Sequence, residues 1–478
     1  LIPITRRQVK TVRSVFRAAL GLAPQAQGPP LLVQTGSDGL VISAAMFGRG
    51  IRWRLAGSYP DHEFWLPFEF LRETAASRND AVLLDPQADS VEVQWVVDSV
   101  PQTRTFHVDD PPEQLTLPDV EFTENPPPLL AALAEAAQTC DDSSTRYALS
   151  CIQLRGARGE IAATDGHQLL MQSDFHFPWD DDVLIRGGAL LTHRELPRDE
   201  PVGIGRAGDV VVLRAGSWTA WLAIESELRF PDVDSIVPDI TSATASVRIP
   251  TDDSRFLQRS VPQLPGSDDR HQPVTVDLNG SIAVRSCRED SDIPTELVLT
   301  QSERTGEPVR FCSDRRLLSR ALQLGFERLH LFGPHAPAVC VSDQRRYVWM
   351  LLSPDGVVAP RAQTTRIQSG DASSAVPGSP RAASVSSPQS SPTTQSTRSH
   401  SAAMSRTNPR RSTAPAKQTS DADSSTSLID RAESLRDSLQ TALADAKQLI
   451  AALKQQKRTS KTVQSALKSL QQLEALDV

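Results

Sequence analysis

Asp165 and His167 are the residues best typed for acid–base chemistry. They stand two positions apart in the run Ala162-Ala163-Thr164-Asp165-Gly166-His167-Gln168-Leu169-Leu170. General acid–base catalysis needs such groups to converge on a nucleophile or a second carboxylate, and none stands at a meaningful spacing. Asp180-Asp181-Asp182 lacks the alternate carboxylate spacing of a calcium loop and reads as a solvated turn. The nine histidines include no i, i+4 pair, and there is no phosphate-binding loop, zinc spacing or nucleophile elbow. The sequence predicts a protein that is not an enzyme, with no metal site and no cofactor.

The charge pattern narrows the class further. From Val357 onward there are 16 Lys+Arg against 9 Asp+Glu, a balance of +7, whereas the first 356 residues carry 34 against 49, or −15. An acidic body with a basic tail is not coated for nucleic acid, so any DNA contact in the body has to be local. Cys140, Cys151, Cys287, Cys312 and Cys340 show no C-x-x-C pairing and are expected to be reduced thiols of a cytosolic protein. No apolar run reaches the length of a membrane span and no signal-peptide pattern opens the chain. The expectation is a soluble, cytoplasmic protein of about three domains, at the usual roughly 100–200 residues each.

The elements that carry these residues recur in order. Thr5 caps a helix expected to run to Leu20, with Arg6, Lys10, Arg13 and Arg17 in one stripe and Val9, Val12, Phe16 and Leu20 in another. The cationic stripe fits either a solvated face or one that tracks phosphates. A hairpin follows from Leu31 to Met46, then strands at Ile51–Leu55 and Val91–Trp95, with a short helix at Pro67–Ala76 between them. After Pro126-Pro127-Pro128 the order repeats: a helix at Leu129–Thr139, strands at Tyr147–Leu154 and Glu160–Met171, a helix at Ala189–Leu196, and strands at Val210–Leu213 and Trp218–Ile224. A third copy has a helix at Ser254–Ser260 and strands joined by Asn279-Gly280. A helix capped by Asp314 follows, and strands end at Tyr347–Leu352. The predicted fold class is α+β, with three topologically similar domains at residues 1–117, 118–246 and 247–356.

Residues 357–425 are dominated by Ser, Thr, Pro, Ala and Gln and are expected to be a disordered, basic linker. Residues 426–478 carry a heptad, with Leu428, Leu435, Ala442, Leu449, Val463 and Leu470 at one phase and Ala432, Leu439, Ala446, Leu453 and Leu467 at the other. A coiled coil with a polar break or a two-helix hairpin fits it, and either could add a self-association site.

Four motifs now resemble one family. Thr164-Asp165-Gly166-His167-Gln168-Leu169 resembles the T-D-G-H-R-L signature of the bacterial DNA polymerase III beta subunit, the sliding clamp. Arg146-Tyr147-Ala148-Leu149-Ser150-Cys151-Ile152 is similar to its R-Y-A-L-N-G-V strand. Phe230-Pro231-Asp232-Val233 with Ile236-Val237-Pro238 is similar to F-P-D-Y-x-x-V-L-P, and Tyr347-Val348-Trp349-Met350 to the terminal Y-V-V-M-P-M. The resemblance covers about Ile2 to Pro354.

It implies a non-catalytic processivity subunit. Two chains would close head to tail into a homodimeric ring around double-stranded DNA, helices would line the hole, and sheets would lie outside. The implied partners are a replicative DNA polymerase and a clamp loader in the bacterial cytoplasm, at the nucleoid. The implied partner-peptide cleft is Leu149, Thr164, Gly166, His167, Gln168, Leu169, Pro231, Ile236, Val348 and Met350. The DNA-facing cations would be Arg6, Lys10, Arg13 and Arg17, with Arg72, Arg255, Arg259, Arg315, Arg316 and Arg320 as additions. Three departures stand out: Gln168 replaces an Arg, Met350-Leu351-Leu352 replaces M-P-M, and the helix at Leu129–Thr139 has no Lys or Arg. They leave room for a clamp-like paralogue that recruits proteins without encircling DNA.

Overall fold

In the computed structural model, Ile2–Thr5 is a short strand, β1, and Thr5 ends it by capping α1 (Arg6–Leu20). The cap is reciprocal: Thr5 Oγ1 accepts from Gln8 N at 3.2 Å while Gln8 Oε1 accepts from Thr5 N at 2.9 Å. Gly21, at φ 66°, closes the helix in the left-handed conformation that side chains resist. Val9, Val12, Phe16 and Leu20 are buried, as their spacing predicts, and Val15 is buried with them. The structure describes residues 1–370, except 24, 110, 113–114, 116–117, 142–143, 145–147, 267–270, 289 and 334. The heptad, most of the expected linker, and the motif residues Arg146 and Tyr147 lie outside the described residues.

The first repeat continues with β2 (Leu31–Gly36), β3 (Gly39–Met46), β4 (Arg49–Leu55) and β5 (His62–Leu66). After α2 (Glu69–Thr74) come β6 (Ala81–Pro86), β7 (Val91–Val97) and β8 (Val100–Phe106). The second has β9 (Thr123–Asn125), α3 (Pro128–Ala137), β10 (Cys151–Arg155), β11 (Glu160–Thr164), β12 (Gln168–Gln172) and β13 (Asp182–Arg186). It ends with β14 (Val202–Ala207), β15 (Val210–Ala215) and β16 (Trp218–Ala223). The third has β17 (Ala245–Arg248), α4 (Thr251–Ser260), β18 (Pro273–Asp277), β19 (Ala283–Ser286), β20 (Thr295–Val298), β21 (Glu303–Gly306) and β22 (Arg310–Asp314). After α5 (Arg315–Gln323) come β23 (Arg328–Leu331), β24 (Ala338–Ser342), β25 (Arg345–Trp349) and a further strand, β26 (Thr365–Gln368).

The strand orders reveal the repetition that the sequence only implied. One four-strand pattern recurs as β5-β2-β3-β4, β13-β10-β11-β12 and β22-β18-β19-β20. A second recurs as β1-β6-β7-β8, β9-β14-β15-β16 and β17-β23-β24-β25. Halves from successive repeats then join edge to edge. β4 pairs antiparallel with β16 to make an eight-stranded sheet, and β12 pairs antiparallel with β25 within a nine-stranded one. Each joint fills two edges that would otherwise present unpaired backbone. The fold is mixed α+β, with antiparallel sheets and few helices, and among the described residues no helix is long and apolar enough to cross a membrane.

Three expectations change. The strand expected at Tyr147–Leu154 starts only at Cys151, because Ala148–Ser150 form a turn that Cys151 N closes on Ala148 O at 2.9 Å. Residues 189–196 form turns instead of a helix: Gly187-Gly188 before and Pro197 after leave a short span, and Leu190, Leu191 and Leu196 are buried without one. The onset of the expected linker is also ordered, since β26 falls within it and pairs with β20. Its composition offers little apolar burial, but a sheet edge supplies backbone partners that composition does not reveal.

Candidate functional site

The Thr164–Leu169 run is the turn between β11 and β12. Thr164 Oγ1 donates to Gln168 O at 2.6 Å and accepts from Gly166 N at 3.0 Å. Asp165 Oδ1 accepts from the backbone N–H groups of His167 (2.8 Å) and Gln168 (2.9 Å), and its Oδ2 from Gln168 Nε2 (2.9 Å). Gly166 sits at φ +87°, which favours a residue without Cβ. Both polar residues that looked chemical are thereby accounted for. Asp165 braces a turn, and His167 is exposed, its ring 6.4 Å from that of His271.

Strand alternation sends the flanking residues to opposite faces. Leu170, Tyr347 and Trp349 belong to the core of the third repeat, whereas Leu169, Met171 and Val348 belong to a separate small cluster with Ala148, Phe230, Val233 and Val339. Leu169 and Val348 are directly paired across the β12–β25 joint, and Met350 N donates to His167 O at 3.0 Å. Leu149, Pro231, Ile236 (55% exposed) and Met350 (48%) are partly or fully exposed and stand within three residues of members of that cluster in the chain. Of the ten expected cleft residues, Leu169 and Val348 belong to this apolar platform, Leu149, Pro231, Ile236 and Met350 stand close to its members in the chain, and Gly166 lies in the adjoining turn. A Cβ added to Gly166 would be 3.8 Å from Leu149 Cδ1. Thr164 and His167 complete the turn.

Gln168 goes elsewhere. Its Oε1 accepts from Tyr347 Oη at 2.7 Å, and it lines a hollow of about 420 Å³ with Asp165, Arg315, Arg316 and Arg320. Burial pushes the Tyr347 phenol well up, so it remains a donor to Gln168 at neutral pH. An arginine here would bring a further cation beside Arg316 and Arg320.

The ten candidate cations divide by what holds them. Arg6 is 8% exposed and donates to Thr74 O at 2.9 Å and Val96 O at 2.7 Å. Arg315 is 5% exposed and donates to Leu264 O at 2.6 Å and Pro265 O at 2.7 Å, and burial lowers its pKa. Both are the first residues of their helices, and the carbonyls they reach lie far away in the chain. Arg320 reaches α3, donating to Gln138 Oε1 at 2.8 Å and Glu135 O at 3.1 Å. Arg345 joins Glu135 Oε2 at 2.6 Å. Burial raises the Glu135 pKa against these two arginines. α3 has no cation of its own, and one carbonyl of its last turn, Glu135 O, is met by Arg320 of the third repeat.

The remaining cations are more open. Arg13, Arg17 and Arg72 surround one hollow of about 670 Å³ beside α1 and α2. Arg17 donates to Leu22 O at 3.3 Å and to Ala23 O, and Arg72 to Glu69 at 2.6 Å. Burial, then Arg13, lowers the Arg17 pKa. Lys10 is exposed and donates to Ser77 Oγ at 2.7 Å. Arg255 and Arg259 are exposed on α4, and Arg316 is exposed while paired with the α5 cap Asp314 at 3.1 Å. Arg7, which the stripe reading passed over, is exposed on α1; a start at residue 7 with Lys10 would have flagged it. The aspartate run faces the chain's own partners: Asp181 pairs with Arg206 at 2.8 Å, and Asp182 accepts from Gln153 at 3.1 Å. Among the described residues no group of three or more His, Cys, Asp and Glu could hold a metal.

No family profile matches the sequence, and no curated protein matches it. Solved structures do. The DNA polymerase III subunit beta from Pseudomonas aeruginosa is 17% identical with a TM-score of 0.59, over 74% of this chain and 99% of that one. A sliding clamp from the same organism bound to griselimycin gives 16% and 0.60, over 73% and 98%. A putative DNA polymerase III beta subunit from Eubacterium rectale gives 14% and 0.58, over 73% and 98%. At such identities the likeness is one of architecture, and the chain has a clamp-like fold.

Proposed function

We propose that this chain is a sliding clamp, a non-catalytic ring that holds a replicative DNA polymerase on duplex DNA. One observation supports the reading: successive repeats join edge to edge twice by the same kind of antiparallel pairing, and among the described residues β8 ends its sheet with no further strand, the edge that a second copy would meet. The domains are assigned to residues 1–117, 118–246 and 247–356. Lys10, Arg13, Arg17, Arg72, Arg255, Arg259 and Arg316 are the cations free enough to track phosphates without reading bases. Arg6, Arg315 and Arg320 act mainly as internal ties. The platform around Leu169 and Val348, rimmed by Leu149, Ile236 and Met350, takes short apolar peptides from the polymerase and the clamp loader. The protein works in the bacterial cytoplasm, at the nucleoid.

The expected result is retention on closed circular DNA and loss when that DNA is linearised; equal loss from both would overturn the reading. A second reading, a clamp-like scaffold that recruits proteins without encircling DNA, is favoured by α3, which carries no Lys or Arg of its own. It is supported if a clamp loader leaves the protein off circular DNA while peptides still bind.

A further inference from the structure

β4, β12 and β20 are the same outer strand of the same four-strand pattern. β4 receives β16 and β12 receives β25, each the last strand of the second pattern. By that progression β20 would receive β8, the last such strand, from a second copy of the chain. Yet β20 is occupied. β26 lies along it in parallel, from Thr295↔Thr365 to Val298↔Gln368.

The segment leading to β26 starts where the clamp resemblance ends and crosses the outer face of the third-repeat sheet. Val358 N donates to Thr275 Oγ1 at 2.8 Å, and Arg285 Nη1 to Val358 O at 3.0 Å. Thr365 N then donates to Pro294 O at 2.9 Å, and Arg366 Nε to Glu296 Oε2 at 2.7 Å. Glu296 is 2% exposed and holds Arg285 through its other oxygen.

We propose that residues 357–369 are a strap that covers the ring-closing edge, and that β8 of a second copy must displace it. The inference rests on the clamp reading. Three features suit an exchange. All four side chains of β26 are exposed, so the strap is held by backbone bonds, by Ser369 Oγ against Thr300, and by two ion pairs, Arg366–Glu296 and Arg361–Asp292, and parallel pairing is slightly the weaker kind. β8 presents exposed Val100, with Val96 and Val97 beside it on β7, so a newcomer offers apolar burial that the strap does not. The strands also read alike: Thr365-Arg366-Ile367 on the strap and Thr103-Arg104-Thr105 on β8, where Arg104 pairs with Glu73 and Glu69 and would exchange those partners for the Glu296 that Arg366 leaves. Strand replaces strand, and the backbone hydrogen bonds of β20 are restored at the end.

Sedimentation velocity on the full chain tests this, with two variants. Thr365→Pro with Arg366→Glu removes a ladder donor and sets a like charge against Glu296; it should associate about tenfold more tightly than the unaltered chain or better. Val298→Cys with Gln368→Cys, across the β20–β26 register, should stay monomeric when oxidised and associate when reduced. Association of this cysteine variant unchanged by reduction overturns the strap, as does a proline variant that associates no more tightly than the parent. If all forms are equally dimeric, the strap falls and the clamp reading stands; if all are monomeric, both fall.

Discussion

The β12–β25 joint and the β20–β26 joint fill equivalent sheet edges with opposite emphasis. At the first, five residue pairs run antiparallel, Leu169 meets Val348, and Tyr347 and Trp349 are buried on the other face with ring centroids 5.4 Å apart. At the second, four pairs run parallel and every β26 side chain is exposed. Backbone bonds alone contribute little net stability because water competes for the same groups, whereas burial of large apolar side chains contributes about 1.5–3 kcal/mol each. The difference teaches which pairing is built to stay and which can be exchanged.

Substitutions at three positions sharpen that contrast. Trp349→Ala should cost about 3–5 kcal/mol in denaturant unfolding, since the indole is 1% exposed and Nε1 donates to Ser313 Oγ at 3.1 Å. A loss below about 1 kcal/mol would mean that the first joint is not held by its buried side chains. Asp314 supports the third repeat from the α5 N-terminus by accepting from Arg316 N at 2.8 Å, and Asp314→Ala should cost about 1 kcal/mol. Burial alone would raise the Asp314 pKa, but hydrogen bonds from Arg316 and His271 bring it below the ordinary value. A lowered folded pKa means that this stabilisation is present above the unfolded carboxylate range and is lost as pH falls through the folded value. Asp314→Asn keeps the cap, so it should flatten the acid limb of melting temperature against pH; an unchanged limb would remove the carboxylate from that role. The smallest effect belongs to Ile367→Ala, within about 0.5 kcal/mol by thermal melting, because the side chain is 41% exposed. A larger loss would put the second joint in the same class as the first.

Much of the fold was legible in the sequence because its signals are local. The Thr5 and Asp314 caps, the α1 apolar stripe and the Leu31–Met46 hairpin each depend on neighbours a few residues away, and each stands where the sequence puts it. The helix expected at Ala189–Leu196 misled because buried leucines at helical spacing also suit a run of tight turns. Cations were harder. Period places Arg6 and Arg13 on one stripe, but only distant carbonyls at Thr74 and Val96 take the first inward.

The chain's own sequence determined the elements, their threefold order, and a Thr164–Leu169 turn whose carboxylate and glycine are fixed by neighbours in the chain. Tertiary structure alone decided which edges meet. The pairings β4–β16, β12–β25 and β20–β26 join strands far apart in sequence, and an edge strand's backbone groups are nearly identical from one strand to the next. Choice among them comes from the side chains that each pairing buries, a property of the assembled surface and not of either strand alone.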